Sequence, residues 1–288
     1  MIKINNILNN SFSKNTIQYV FGIGLAQLIA FAFQFILRRI YTQEDFGHYA
    51  IFTSIVSIIT VVSTLRYERA ILLPKENIKA YRLLVIAIFF AVTINLLIFV
   101  IILTFPGSLA KVFNVAKQNV GFFYLIPISG LLFSIFRVFE FYLTRKKAYL
   151  QIGGSKVIRR LTEGLFQYLL NFTKKSGLFL GDIIGHLINF LYGLFLIRKD
   201  LYAYRKESIK FKETLNEFKD FPKYNLWTAL AQDLNTVFLP VFLISYFFGT
   251  SITGNYDLAR LLLSVPLSLI TVAIQQILFQ KLSEMVNE

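Results

Sequence analysis

The sequence predicts an all-α fold, a polytopic membrane helix bundle with about eight transmembrane helices. Three observations support this prediction: the composition, the lengths of the apolar runs and the placement of the basic residues. Of the 288 residues, 56% are hydrophobic and 16% charged, and the mean hydropathy is +0.59. A soluble domain has roughly 45–50% apolar and about 25% charged residues. The basic residues that give the net charge of +14 must therefore lie beside long apolar runs. This arrangement indicates basic cytoplasmic loops and not a nucleic-acid surface.

Eight apolar segments are long enough to cross a bilayer, since about 20 helical residues span a core about 30 Å thick. The weakest, Val157–Phe172, contains three charged residues and has an alternative interpretation as an interfacial helix. We include it because the loops on either side of it then fall on the expected sides of the membrane. In chain order the predicted spans are Ile17–Leu37, Tyr49–Leu65, Leu83–Phe105, Phe122–Leu143, Val157–Phe172, Leu178–Ile197, Asn225–Phe248 and Leu258–Leu278.

The distribution of Lys and Arg predicts the orientation of these spans. With the N-terminus inside, the inner segments hold 22 of the 30 Lys and Arg residues and the outer segments hold six. Such a bias is typical of cytoplasmic loops, so both ends of the chain are predicted to lie inside. A cleaved signal peptide ending near Ala30-Phe31-Ala32 is the competing interpretation of the first span. The apolar run continues through Leu37, however, and is longer than the apolar region of a signal peptide.

The longest hydrophilic stretch divides the chain. We predict a six-helix lobe over residues 1–197, a basic cytoplasmic linker over 198–222, and the start of a second lobe over 223–288. Two short motifs recur across the linker: Leu25-Ala26-Gln27 is repeated as Leu230-Ala231-Gln232, and Gly47-His48-Tyr49 as Gly254-Asn255-Tyr256. The orientation is the same in both copies, as in transporters built from parallel repeats.

The second lobe would then comprise only its first helical hairpin. This predicts that a second polypeptide completes the bundle, or that the chain is a truncated remnant that does not transport.

The residue inventory limits the chemistry. The chain has no Cys and only two His, which excludes disulfide frameworks and cysteine-based metal sites and leaves no reason to expect a metal. It contains no P-loop, and Gly22-Ile23-Gly24 lies inside an apolar run instead of following a strand. We therefore expect no cofactor, no catalytic residue and no ATP-driven step in this chain.

Ionisable residues inside the spans are the candidate binding residues, because each costs a few kcal/mol unless it has a partner or a wet cavity. Arg137 and Glu140 are spaced to neutralise each other; alternatively, Arg137 faces a cavity and Glu140 is free for ion coupling. Arg159 and Glu163 are spaced to pair, which leaves Arg160 pointing elsewhere and available to an anionic head group.

Acidic residues in the last spans are candidates for proton or sodium coupling. Asp233 has no cation three or four residues away, and its alternative interpretation is a hydrogen-bonded interior carboxylate. Asp182 lies four residues before His186, and the two form either a proton relay or a satisfied buried pair. Asp257 is spaced to pair with Arg260, which lies deeper in its span and is a further cationic candidate.

Several motifs together resemble the Wzx-type flippases of lipid-linked polysaccharide or O-antigen units, in the multidrug/oligosaccharidyl-lipid/polysaccharide exporter superfamily. The run from Arg39 to Ala50 (RIYTQEDFGHYA) is similar to the family pattern after the first span, and Arg66 to Lys75 (RYERAILLPK) to the pattern after the second. Gly254 to Leu262 (GNYDLARLL), followed by Pro266, resembles a third. Gln43 stands where proline is usual, and family members usually have twelve or more spans.

The resemblance implies a transporter of the bacterial inner (cytoplasmic) membrane that flips an undecaprenyl-pyrophosphate-linked oligosaccharide to the outer leaflet. Its partners would be this lipid-linked substrate, membrane lipids and other glycan-assembly proteins. Arginine suits a pyrophosphate because its planar fork donates two hydrogen bonds. The predicted cationic cavity comprises Arg39, Arg66, Arg137, Arg160 and Arg260, and the ion-coupling candidates are Asp233, Glu140 and Asp182.

Two other classes are alternatives to a flippase. A multidrug or cation exporter of the same superfamily would need an acidic, aromatic cavity, whereas the intramembrane charge here is mostly basic. A membrane polymerase or ligase would need a large outer loop to handle sugars, and the longest predicted outer loop, Pro106–Gly121, has about sixteen residues.

Overall fold

The computed structural model describes residues 11–113, 115, 117–264 and 267, and every regular element among them is helical. Six of these helices are long and apolar enough to cross a membrane, which confirms the all-α, multi-pass prediction. The last predicted span lies mostly outside the described residues. In chain order the helices are α1 (Ser11–Leu37), α2 (Gln43–Ser63), α3 (Tyr67–Ala70), α4 (Asn77–Thr104), α5 (Pro106–Val112), a 3₁₀ helix (Lys117–Leu125), α6 (Ile126–Arg145), α7 (Tyr149–Leu169), α8 (Ser176–Tyr204), α9 (Phe211–Glu217), α10 (Phe221–Phe248) and α11 (250–264).

Helix α2 begins six residues before the predicted span because the loop ahead of it contains a capping box. The Thr42 hydroxyl accepts a hydrogen bond from the Asp45 amide at 3.2 Å, and the Asp45 carboxylate accepts one from the Thr42 amide at 3.0 Å. Such caps stabilise a helix by about 1 kcal/mol. The connection between α1 and α2 is therefore short, and it holds the α2 N-terminus at the predicted outer surface.

Helix α2 ends beside the middle of the longer helix α4. The Ser63 hydroxyl near its end accepts a hydrogen bond from Asn95, well along α4, at 2.9 Å. Tyr67, in α3, stacks on Phe90 at the midpoint of α4, with ring centroids 5.7 Å apart. The chain turns here through two consecutive left-handed residues, Leu65 (φ 48°) and Arg66 (φ 65°). Phe90 also contacts Phe211 of the basic linker, with ring centroids 6.2 Å apart, so Arg66 lies at the end of α2 on the predicted inner side.

Helix α7 runs alongside the spans although its four charged residues, Lys156, Arg159, Arg160 and Glu163, make it less apolar than they are. Gly22 of α1 lies against Gly153, and Phe33 lies against Gly164, so the two helices are parallel over eleven residues. On its other side α7 is antiparallel to α8. There Gly181 packs against Gln167, and Gly185 packs against Glu163. These close approaches between helices depend on glycine, as is common in membrane bundles.

Helix α10 is irregular near its centre. A π-helical turn, Leu234–Phe238, directly follows Asp233. Pro240 lies in the next turn, where its ring cannot donate to the Thr236 carbonyl and would clash with it in a regular α-helix. The π turn relieves that clash. Such turns are frequent at functional sites, and this one is adjacent to the acidic residue of the span.

Candidate functional site

Arg66 is the centre of a charged group at the inner end of α2. The residue is 2% exposed, and its guanidinium lies 3.3 Å from Glu68. The charges of Arg137 and Asp233 also act on it. Its Nε atom and one Glu68 oxygen are buried without a hydrogen-bond partner in the described part of the chain. We define Arg66, Glu68, Arg137 and Asp233 as the central charged group.

Arg137 does not pair with Glu140, contrary to the first of the two interpretations of that spacing. Glu140 binds Lys156 of α7, with 2.7 Å between the Lys Nζ and a carboxylate oxygen. Arg137 is half-buried and makes no ion pair with the described residues, while its charge acts on Tyr19 and Arg66. Glu140 is thus neutralised, and Arg137 is left as an available intramembrane cation.

Asp233 makes no ion pair with the described residues, as the lack of a cation three or four residues away predicts. Its Oδ2 atom is buried and has no hydrogen-bond partner among the described residues. A buried, unmatched carboxylate oxygen costs free energy, and an incoming proton or cation would relieve that cost. Asp233 therefore has the surroundings expected of an ion-coupling residue.

A second charged cluster joins four helices in the outer half of the bundle. Glu163 of α7 lies 3.3 Å from Arg159 and 3.0 Å from Arg160. Asp182 of α8 lies 3.5 Å from Arg159 and accepts a hydrogen bond from Ser129 of α6 at 2.8 Å. The Tyr49 hydroxyl of α2 lies within hydrogen-bonding distance of both carboxylates, at 3.1 Å and 3.3 Å. We call these residues the outer network.

The outer network answers two questions that the sequence left open. Arg159 pairs with Glu163 as predicted, but Arg160 pairs with the same carboxylate, so the expectation that it points elsewhere is wrong. His186 is 2% exposed and lies 3.7 Å from Asp182, beyond hydrogen-bond distance, and its Nδ1 atom is buried without a hydrogen-bond partner among the described residues, so the pair is not satisfied. Two arginines thus balance two carboxylates, and this cluster fastens α7 to its neighbours.

The two repeated glycine motifs pack against each other at the outer side. A Cβ on Gly47 would lie 1.8 Å from the Thr250 carbonyl oxygen, and a Cβ on Gly254 would lie 2.0 Å from that of Gln43. Thr250 precedes Gly254 by four residues, just as Gln43 precedes Gly47. Each glycine therefore meets the equivalent position of the other motif, and α2 and α11 cross backbone to backbone.

Ionic contacts surround this crossing, which we call the outer closure. Arg38 donates to the Gly254 carbonyl at 3.0 Å, lies 3.9 Å from Asp257 and stands 3.8 Å over the Phe46 ring. Burial lowers the pKa of Arg38, and the negative charge of Asp257 opposes that shift. Arg260 pairs with Asp257 at 3.0 Å, as predicted.

Arg39, the candidate taken from the resemblance, is exposed and outside these contacts. Its neighbour Arg38 is instead the arginine that joins the two halves of the chain.

The outer loop after α4 adds an apolar contact on the same side. The loop begins with the short helix α5, and Phe113 after it is 2% exposed. Its ring lies 5.8 Å from Phe238 and 5.6 Å from Phe242, both in α10. The Phe113 carbonyl accepts a hydrogen bond from Ser245 at 2.8 Å. This loop covers the outer half of α10.

These features define a multi-pass, all-helical membrane protein with an intramembrane charged centre and an outer side closed between its two halves. Comparison with protein families identifies it further: the sequence profile described as "Polysaccharide biosynthesis protein" matches residues 36–288. The chain therefore belongs to this Wzx-like family, whose members are typically transporters and not enzymes. No curated protein and no solved structure matches the chain.

Proposed function

We propose that the protein flips an undecaprenyl-pyrophosphate-linked oligosaccharide from the inner to the outer leaflet of the bacterial inner membrane. The observation that carries this proposal is the central charged group, in which Arg137 has no ion-pair partner among the described residues. The family membership supports a role in polysaccharide biosynthesis, and the lipid-linked substrate is our extension of it. The reaction would involve no covalent step.

The central charged group suits a diphosphate for electrostatic reasons. Arg137 supplies a guanidinium without an ion pair among the described residues, whereas the charge of Arg66 is balanced by Glu68 at 3.3 Å. An intramembrane cation is costly unless it meets an anion or water, and arginine binds phosphate oxygens through two parallel hydrogen bonds. Asp233 would hold a coupling proton or cation when the substrate is absent.

The outer closure supports alternating access by two lobes. The first six spans and the α10–α11 hairpin meet through Gly47 and Gly254, with Arg38 bound to Asp257 beside them. Contacts made only between lobes must separate for a substrate to leave outward. We propose that the present arrangement is the outward-closed state, and that release requires this crossing to open.

In this proposal the 288 residues cross the membrane eight times. Helix α7, 21 residues and thus about 31 Å long, lies parallel to α1 and is counted as a span. Residues 1–197 then form the first lobe, 198–222 the linker, and 223–288 the start of the second. An exposed polar face of α10, formed by Thr228, Gln232 and Asn235, would line the substrate path or meet a second polypeptide.

The outer network weakens the case for a multidrug or cation exporter. Such a protein needs an acidic residue that is free to bind a cation. Glu163 and Asp182 are both engaged by Arg159, and Glu140 is engaged by Lys156. Among the described residues Asp233 has an unsatisfied oxygen, but Arg137 is an intramembrane cation without an ion pair. A substrate that carries a negative charge is therefore favoured.

Complementation of a flippase-deficient strain tests the proposal. Arg137→Ala should abolish surface glycan while leaving the protein in the membrane, and Arg137→Lys should restore it partly, because lysine keeps the charge but loses the fork. Arg198→Ala is the matched control, since Arg198 is exposed at the inner end of α8. Normal glycan from Arg137→Ala at wild-type protein levels would contradict the proposal.

A further inference from the structure

A basic pocket opens at the inner end of the bundle, away from the central charged group. It has a volume of about 810 Å³ and lies between the loop that follows α3 and the end of α6. Its lining includes four basic side chains and no carboxylate. Those four are Lys75, Arg145, Lys146 and Lys147.

Arg145 shapes this pocket. Its guanidinium donates to the carbonyl oxygens of Ile71, Pro74 and Lys75 and to the side-chain oxygen of Asn77. These bonds fix the loop after α3, which forms one wall of the pocket. All four acceptors are neutral, so the arginine charge is not cancelled within this set. The Lys146 ammonium is neutralised by Asp200 of α8.

Two lysines are left available. Lys75 and Lys147 are exposed and make no ion pair with the described residues. Lys147 is held in a left-handed conformation (φ 57°) at the turn after α6. With Arg145 they leave three uncompensated positive charges around one cavity.

Apolar side chains complete the site. Leu72 and Leu73 line the same pocket and are 41% and 62% exposed. The positive-inside distribution places this end of α6 at the cytoplasmic leaflet. A cavity that offers cations beside exposed leucines at this depth matches an amphiphile with an anionic head group.

We propose that this pocket binds an anionic phospholipid of the inner leaflet, with its phosphate between Lys75 and Lys147 and an acyl chain over Leu72 and Leu73. Basic pockets between transmembrane helices on the cytoplasmic side suit such head groups. The proposal does not depend on the transported substrate. A bound lipid would hold the loop after α3 against α6, on the same segment that carries Arg66.

Native mass spectrometry of the purified full-length chain tests this site. Phosphatidylglycerol and phosphatidylcholine of the same acyl composition would be titrated onto three proteins: wild type, the double variant Lys75→Gln/Lys147→Gln, and the control Lys206→Gln/Lys212→Gln. The control removes the same charge from exposed lysines on the same predicted side.

We expect wild type and control to retain phosphatidylglycerol in preference to phosphatidylcholine. The pocket variant should bind phosphatidylglycerol about thirty-fold more weakly, from roughly fivefold per basic residue. Equal affinity in the pocket variant and the control would overturn the site. Displacement of the lipid by inorganic phosphate at millimolar concentration would overturn the assignment to a phospholipid and indicate a free-anion site.

Discussion

The glycine crossing of α2 and α11 makes a quantitative prediction about access from outside. Adding one Cβ at Gly254 places a carbon 2.0 Å from the Gln43 carbonyl oxygen, where van der Waals contact requires more than 3 Å. The helices must then separate by about 1 Å or more. Overpacking of this kind costs about 1–3 kcal/mol. The helix-propensity gain of alanine, about 1 kcal/mol, acts in both states and cancels.

A cost of about 2 kcal/mol in the closed state alone would raise the outward-open population about thirty-fold. The assay uses the absence of native cysteine. Thr253 is fully buried beside the crossing, so a cysteine there should react slowly with an impermeant thiol reagent in intact cells. Introducing Gly254→Ala into the Thr253→Cys protein should raise its labelling rate by a similar factor.

Gly154→Ala is the matched control for this experiment. Gly154 is also a helical glycine, but the nearest atom to its added Cβ is the Tyr192 hydroxyl at 4.0 Å. It should leave the labelling rate unchanged. Equal rates in Gly254→Ala and Gly154→Ala would refute the argument that this crossing closes the outer side.

Three further predictions concern topology and stability. Single cysteines that replace Lys147 and Lys210 should be shielded from an impermeant thiol reagent in intact cells, while a cysteine that replaces Lys117 should be labelled. Labelling at Lys210 would contradict the predicted inside location of the N-terminus. Glu163→Gln leaves two half-buried arginines undercompensated and should destabilise the protein by about 1–3 kcal/mol, seen as loss of monodisperse protein after detergent extraction. Wild-type yield and melting would show that the outer network is dispensable. Gly22→Leu should separate α1 from α7 and lower the melting temperature, whereas an unchanged melting temperature would contradict their close packing.

Much of the helical architecture follows from the sequence because apolar run length is a local property. The first, third and sixth predicted spans correspond to α1, α4 and α8, although each helix extends six or seven residues beyond its predicted span at one end. Boundaries were less predictable where polar residues continue a helix. Gln43–His48 belongs to α2 because the Thr42 cap starts the helix early, which a hydropathy window does not register.

The site was only partly predictable, because helix spacing gives pairs within one helix and not between helices. The Arg159–Glu163 and Asp257–Arg260 pairs follow from such spacing. Glu140 pairs with Lys156 of the neighbouring helix α7, which leaves Arg137 without that partner. The spacing of residues along α6 alone does not predict this contact. The importance of Arg38 was likewise missed, although the repeated Gly47 and Gly254 motifs already marked the surface beside it.

The most direct test of the account is transport by the purified chain in liposomes that carry an undecaprenyl-pyrophosphate-linked oligosaccharide. Translocation would be followed as protection of the glycan from an external glycosidase, for wild type, Arg137→Ala and Arg198→Ala. The account predicts translocation by wild type and Arg198→Ala and its loss in Arg137→Ala. Equal translocation by all three would contradict it, whereas none by the wild-type chain alone would indicate that a second polypeptide is needed to complete the second lobe.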